Sequence, residues 1–72
     1  MTMTEANRLQ DDLEAIVDKA GITAIVDALE AIAHAKAEHV SHVWQDEHLA
    51  RAWTRIAKHL GAARARIAQE GI

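Results

Sequence analysis

Apolar side chains recur along most of this chain at spacings of three and four, the period of one face of an α-helix. In the first segment Ala6, Leu9, Leu13, Ile16 and Ala20 follow that period, while Glu5, Arg8, Asp11 and Asp18 lie off it. Gly21 supplies a residue that tolerates positive φ where a helix ends, Ile22 is the apolar residue that packs back, and Thr23 is the expected cap of the next helix. The second segment carries Ile22, Ile25, Val26, Leu29, Ile32, Ala33, Val40 and Val43 on its large-residue face, with Ala24, Ala28, Ala31 and Ala35 as a stripe of small residues beside it. Small residues at helical spacing let another helix approach closely, so this helix is expected to pack on two sides.

No Gly or Pro lies between residues 22 and 60, which makes one very long helix a serious alternative. The phase of the pattern argues against it. Extending the stripe beyond Val43 would place apolar residues where Glu47 and Thr54 stand, whereas the next stripe is Leu49, Trp53, Ile56, Leu60, Ala63 and Ile67. The slip between Trp44 and Glu47 predicts a turn, with Asp46 as the cap of a third helix. That helix has its own small-residue stripe, Ala50, Thr54, Ala57 and Gly61. A glycine in a helix interior costs about 1 kcal/mol, yet the apolar phase runs through Gly61 undisturbed. The expected helices span about 4–20, 23–44 and 47–68, within a single helical domain covering 1–72.

Composition supports the helical reading: half of the 72 residues are hydrophobic, with no Pro, Phe, Tyr or Cys and only three Gly. So short a chain leaves a marginal core. Without cysteine, neither disulfides nor thiolate zinc sites can reinforce it, which leaves a His/carboxylate metal site or self-association. The segment MTMTEANRLQDD has neither the basic start nor the apolar run of a secretory signal, and no stretch approaches a membrane span, so the expectation is a soluble cytoplasmic protein with no membrane partner.

The net charge of −3 conceals a division along the chain. Residues 1–48 carry three basic and ten acidic side chains, a balance of −7; residues 49–72 carry Arg51, Arg55, Lys58, Arg64 and Arg66 against Glu70, a balance of +4. The split favours pairing of the third helix with acidic partners, within a chain or between chains. In a hairpin turning near residue 45, Glu38 would fall opposite Arg51 or Arg55, and Glu30 near Lys58 or His59.

The chemistry worth weighing lies in HAKAEHVSHVWQDEH, residues 34–48, with four of the five histidines. Glu30, His34, Glu38, His42 and Asp46 stand four apart, so acid and imidazole alternate up one slowly rotating ladder. The simpler reading is a solvated face of weak pairs. A sharper one is zinc or another divalent metal held by His34, Glu38, His42 and His48, since spacings of four allow one helix to present two ligands, but at least three must converge. A third is a proton-sensitive ladder. Trp53 lies on the apolar seam and reads as core; Trp44, at the turn, reads as a cover for the end of the bundle or a subunit contact.

Enzymatic activity is not expected: the chain has one serine, no cysteine, no tyrosine and no glycine-rich phosphate loop. The basic face of the third helix admits a nucleic-acid reading, disfavoured by the acidic total and a pI near 5.9. The sequence therefore predicts an all-α, three-helix protein built on a long antiparallel helical hairpin, with the first helix packed across it, self-associating as a homodimer or larger assembly. Its expected role is protein-protein interaction, with itself and with another protein as partners, through a surface that includes Ala24, Ala28, Ala31, Ala35, Trp44, Ala50 and Ala57. A His/carboxylate metal-binding protein and a nucleic-acid-associated protein are the alternatives.

Overall fold

The computed structural model describes residues 2–72. It is all helical: α1 spans Met3–Ala20, α2 spans Ile22–His39, one π-helical turn follows at Val40–Trp44, and α3 spans Glu47–Ala68. Among the described residues no helix is long and apolar enough to cross a membrane.

Each helix boundary has a local cause. Thr2 and Glu5 form a capping box at the start of α1, Thr2 Oγ1 accepting from the Glu5 amide at 3.2 Å and Glu5 Oε2 accepting from the Thr2 amide at 3.3 Å. Gly21, at φ 90° and ψ 151°, ends α1 and begins α2. It is the whole connection between them, in a backbone conformation open in practice only to glycine. The expected Thr23 cap does not form: α2 has no side-chain cap, and Thr23 Oγ1 is buried without a hydrogen-bond partner.

The predicted turn near residue 45 is present, with one unforeseen feature. The α-helical pattern of α2 stops at His39, and the next turn is wound more loosely into a π-helix. It closes when Gln45 adopts the left-handed conformation (φ 54°, ψ 31°), its N–H bonding to the Val40 carbonyl. The Asp46 amide donates to the same carbonyl at 3.3 Å. Asp46 then caps α3 as the sequence predicts, accepting from the Leu49 amide at 3.0 Å.

Packing is concentrated between α2 and α3. Their contacts run from the turn, where Ser41 Oγ donates to Glu47 Oε1 at 2.9 Å, to the far end, where Arg64 Nε donates to Glu30 Oε1 at 3.0 Å. The buried residues are Val26, Ala33 and Val40 on α2 and the π turn, and Ala50 and Ala57 on α3. Each set is spaced by seven, the repeat of a helix-helix seam. Nothing in the seam is larger than valine, and Ala33 and Ala57 are 1% and 0% exposed. The stripe read as a surface on α3, Ala50 and Ala57, is thus the internal contact.

Two consequences follow for the large side chains. Leu29, Ile32, Val43, Leu49 and Ile56 remain exposed, and Trp53 and Leu60 are only half-buried. The expectation that α1 packs across the other two helices is not met either: α1 contacts α2 alone and buries no residue. The Cα trace measures 38 × 34 × 15 Å. Its radius of gyration, 14.4 Å, exceeds the roughly 11 Å of a compact domain of this length.

Two predictions follow. Ala57→Leu wedges the seam and lowers unfolding stability by about 1–3 kcal/mol, whereas Ala28→Leu, on an exposed position of α2, changes it by about 0.5 kcal/mol or less; equal effects in urea melts would show that Ala57 is not the contact. At the turn, adjacent residues act in opposite directions. Gln45→Gly relieves a left-handed non-glycine residue and stabilises by about 1 kcal/mol, while Asp46→Ala removes the cap and destabilises by about 1 kcal/mol.

Candidate functional site

The histidine-rich stretch divides between two sides of α2. His34, Glu38, Ser41 and His42 line an open groove of about 430 Å³ together with Glu47, Arg51 and Thr54 of α3. His39 lines a different depression beside Ile32, Ala35 and Lys36. His48, on the first turn of α3, is not among the groove's lining residues. Of the four proposed metal ligands, the fold thus brings three to one groove and leaves His48 outside it. No group of three or more His, Asp or Glu side chains among the described residues is placed to hold a metal ion.

The acid-imidazole ladder is broken at three of its rungs by better partners. Glu30 Oε2 lies 3.9 Å from His34 Nε2, at the limit of an ion pair, with the imidazole 63% exposed; such a contact contributes little. Glu30 instead accepts from Arg64 across the seam at 3.0 Å, and Arg64 also lies 3.4 Å from Asp27. His42 turns its Nδ1 to the backbone carbonyl of Glu38 at 3.0 Å. Asp46 is committed to the cap of α3. The uninterrupted ladder required an α-helix through residue 46, and the π turn and left-handed Gln45 end it first.

The cross-helix charge pairing also has a different register from the one expected. Glu30 meets Arg64 rather than Lys58 or His59. The cause lies opposite Glu30: a Cβ added to Gly61 would stand 2.7 Å from Glu30 Oε2. Gly61 therefore opens the notch through which the Glu30 carboxylate passes to reach Arg64. This gives an otherwise unfavourable helical glycine a role that no sequence pattern signalled. It also commits one of the five basic residues of α3 to acids within the chain.

The expected interaction residues scatter. Ala24, Ala28, Ala31 and Ala35 are exposed on α2, and Trp44 is 71% exposed at the turn. Ala50 and Ala57 are enclosed against α2. Of the large-residue face read on α2, Val26, Ala33 and Val40 are buried while Leu29, Ile32 and Val43 are exposed, and on α3 Leu49 and Ile56 of the apolar seam are exposed. On α1, an apolar groove of about 570 Å³ is lined by Ala6, Leu9, Gln10, Leu13, Glu14 and Val17. Comparison with models of known protein families, with curated proteins and with solved structures finds no match.

The Gly61 notch can be tested by a double-mutant cycle on Glu30→Gln and Arg64→Gln. We expect a coupling of about 0.5–1 kcal/mol in the parent chain, as befits a partly exposed pair. It should fall to near zero in the Gly61→Ala background. The total stability of Gly61→Ala should change little, because the gain in helix propensity, about 1 kcal/mol, offsets the lost pair. Undiminished coupling would show that Gly61 does not make the passage.

Proposed function

We propose that this chain is a self-associating helical interaction module, an antiparallel α2–α3 hairpin that buries its large apolar side chains against a second copy. The observation that carries the reading is the exposure of large apolar side chains on all three helices. A helix with an apolar stripe ordinarily buries it against another element. Here the exposed large hydrophobic residues include Leu9, Leu13 and Ile16 on α1, Leu29 and Ile32 on α2, and Leu49 and Ile56 on α3.

Area gives the same answer. A compact monomer of 7.9 kDa has about 4,400 Å² of accessible surface. This chain has 5789 Å², roughly 1,400 Å² more than that relation gives. A standard specific interface buries about 800 Å² on each partner, so the surplus exceeds what a stable pair requires.

The hairpin concentrates that surplus on one side. Counted at about 100° per residue from the nearest seam residue, Ile25 and Ile32 lie about 100° and Leu29 about 60° round α2, and Leu49 and Ile56 about 100° and Trp53 and Leu60 about 60° round α3, all in the same sense. With the two helices antiparallel, both displacements turn to the same face. The groove that holds His34, Glu38 and Arg51 belongs to the opposite, polar face. The reading includes no catalysis. Neither a metal site nor nucleic-acid binding gains a specific observation, since no three ligands converge among the described residues and Arg64 is engaged with Asp27 and Glu30.

Mass in solution decides the proposal. Sedimentation equilibrium should give a dimer or larger species at micromolar concentration, and the thermal midpoint should rise with protein concentration, because association stabilises the folded state by mass action. A monomer near 7.9 kDa with a concentration-independent midpoint would overturn it.

A further inference from the structure

Resting on that self-association, we infer that each α1 docks on the apolar face of the other copy's α2–α3 pair, along α3, so that the two chains exchange their first helices about a two-fold axis. The inference starts from the joint. Antiparallel packing of consecutive helices takes a loop of about two to five residues, and connections in helical bundles run to about two to eight. The junction of α1 and α2 is Gly21 alone. A one-residue joint does not let α1 turn back along its own chain, which is why it touches α2 only and buries nothing. Its stripe of Leu9, Leu13 and Ile16 must be covered by another molecule or stay wet.

The face offered by α3 matches it in length, chemistry and charge. α1 has 18 residues and α3 has 22, about 27 and 33 Å of helix. Over Met3–Ala20, α1 carries Glu5, Asp11, Asp12, Glu14 and Asp18 against Arg8 and Lys19, a balance of −3; over Glu47–Ala68, α3 carries five basic residues against Glu47, a balance of +4. Glu5 and Asp12 flank the apolar stripe of α1, and Arg55 and Arg66 lie on the side of α3 turned away from its seam with α2, within reach of a helix laid along its large-residue face through their long side chains. All four are exposed and enter no ion pair within 4.0 Å among the described residues. A two-fold pair uses each contact twice, so α1 on α3 of the partner is matched by the partner's α1 on α3 of the first chain. Two α1–α3 contacts then close the assembly without leaving a free apolar face to propagate.

A charge exchange between two variants tests it. E5R/D12R makes both helices basic at the proposed contact, and R55E/R66E makes both acidic. All four side chains are exposed and outside the α2–α3 seam; Glu5 also closes the capping box of α1, so Glu5→Ala, which opens the cap without adding a basic charge, is the control, and circular dichroism checks that each variant remains helical. Each variant alone should self-associate roughly ten- to hundredfold more weakly than the parent at low salt. Mixed one to one, they should form a heterodimer of near-parental affinity, because each contact then sets the introduced charges against opposite ones. Leu13→Asp, which removes an apolar contact from α1 alone, should dissociate the parent dimer without loss of helix content.

The outcomes separate. A parent chain that is monomeric overturns the self-association reading and this inference together. If the parent associates but the charge variants associate as well as it does, or fail to recover on mixing, the α1–α3 contact is wrong and self-association stands. Recovery only when both pairs of substitutions are placed in one chain would put α1 on its own α3, and overturns the exchange.

Discussion

The fit of α2 against α3 through alanine decides what every other part of the chain can do. Ala33, Ala50 and Ala57, with Val26 and Val40, are the seam. Two helices that meet through such small side chains have no room between them for leucine, isoleucine or tryptophan. Those residues follow the same heptad rhythm, displaced by roughly a quarter turn on each helix, and so emerge on one side of the pair. Burial of five small residues is a slight hydrophobic gain for a chain of 72, since stabilisation scales with apolar area removed from water. The seam thus sets a register and spacing more than it supplies a core.

Gly21 imposes the second constraint. With a longer loop, α1 could lie over the exposed leucines and isoleucines of its own chain and complete a three-helix bundle. One residue at φ 90° instead sends α1 away from the α2–α3 pair, and the cap at Thr2 and Glu5 keeps its first turn intact there. The same short joint separates the acidic first helix from the basic third. The acidic first helix and the basic third therefore make no contact within the chain.

Much of this architecture is legible in the sequence, because periodicity and caps are local. The three helices, the turn between Trp44 and Glu47, and the cap at Asp46 follow from phase and side-chain chemistry within a few residues. The seam is not legible in the same way. On α2 the seam falls within the face the periodicity picks out, at Val26, Ala33 and Val40, but on α3 it falls on the small-residue stripe, at Ala50 and Ala57, rather than on the apolar seam that carries Trp53. Which of two adjacent stripes faces inward depends on the partner helix, and Ala57 is buried at 0% exposure where α2 presents Ala33 at 1%. Gly61 is a sharper case: its meaning lies entirely in Glu30, 31 positions earlier. The π turn escaped for a related reason, since the phase slip at Trp44 to Glu47 shows that the winding changes but not how the slip is divided between a looser turn and a left-handed residue.

The histidines show how far backbone geometry governs apparent chemistry. At spacings of four, His34, Glu38 and His42 look like paired ligands, and three of the four proposed ligands do line one groove. Yet a metal needs donors that converge with their lone pairs free. His42 has its Nδ1 directed at a helix carbonyl, Glu30 is drawn across the seam by Arg64, and Asp46 is held by the α3 amide. Each of these is a contact made within the chain without any ion. The polar face is therefore organised by the seam and the turn, as the apolar face is, and the two faces together leave the hydrophobic one as the surface with an unmet physical demand.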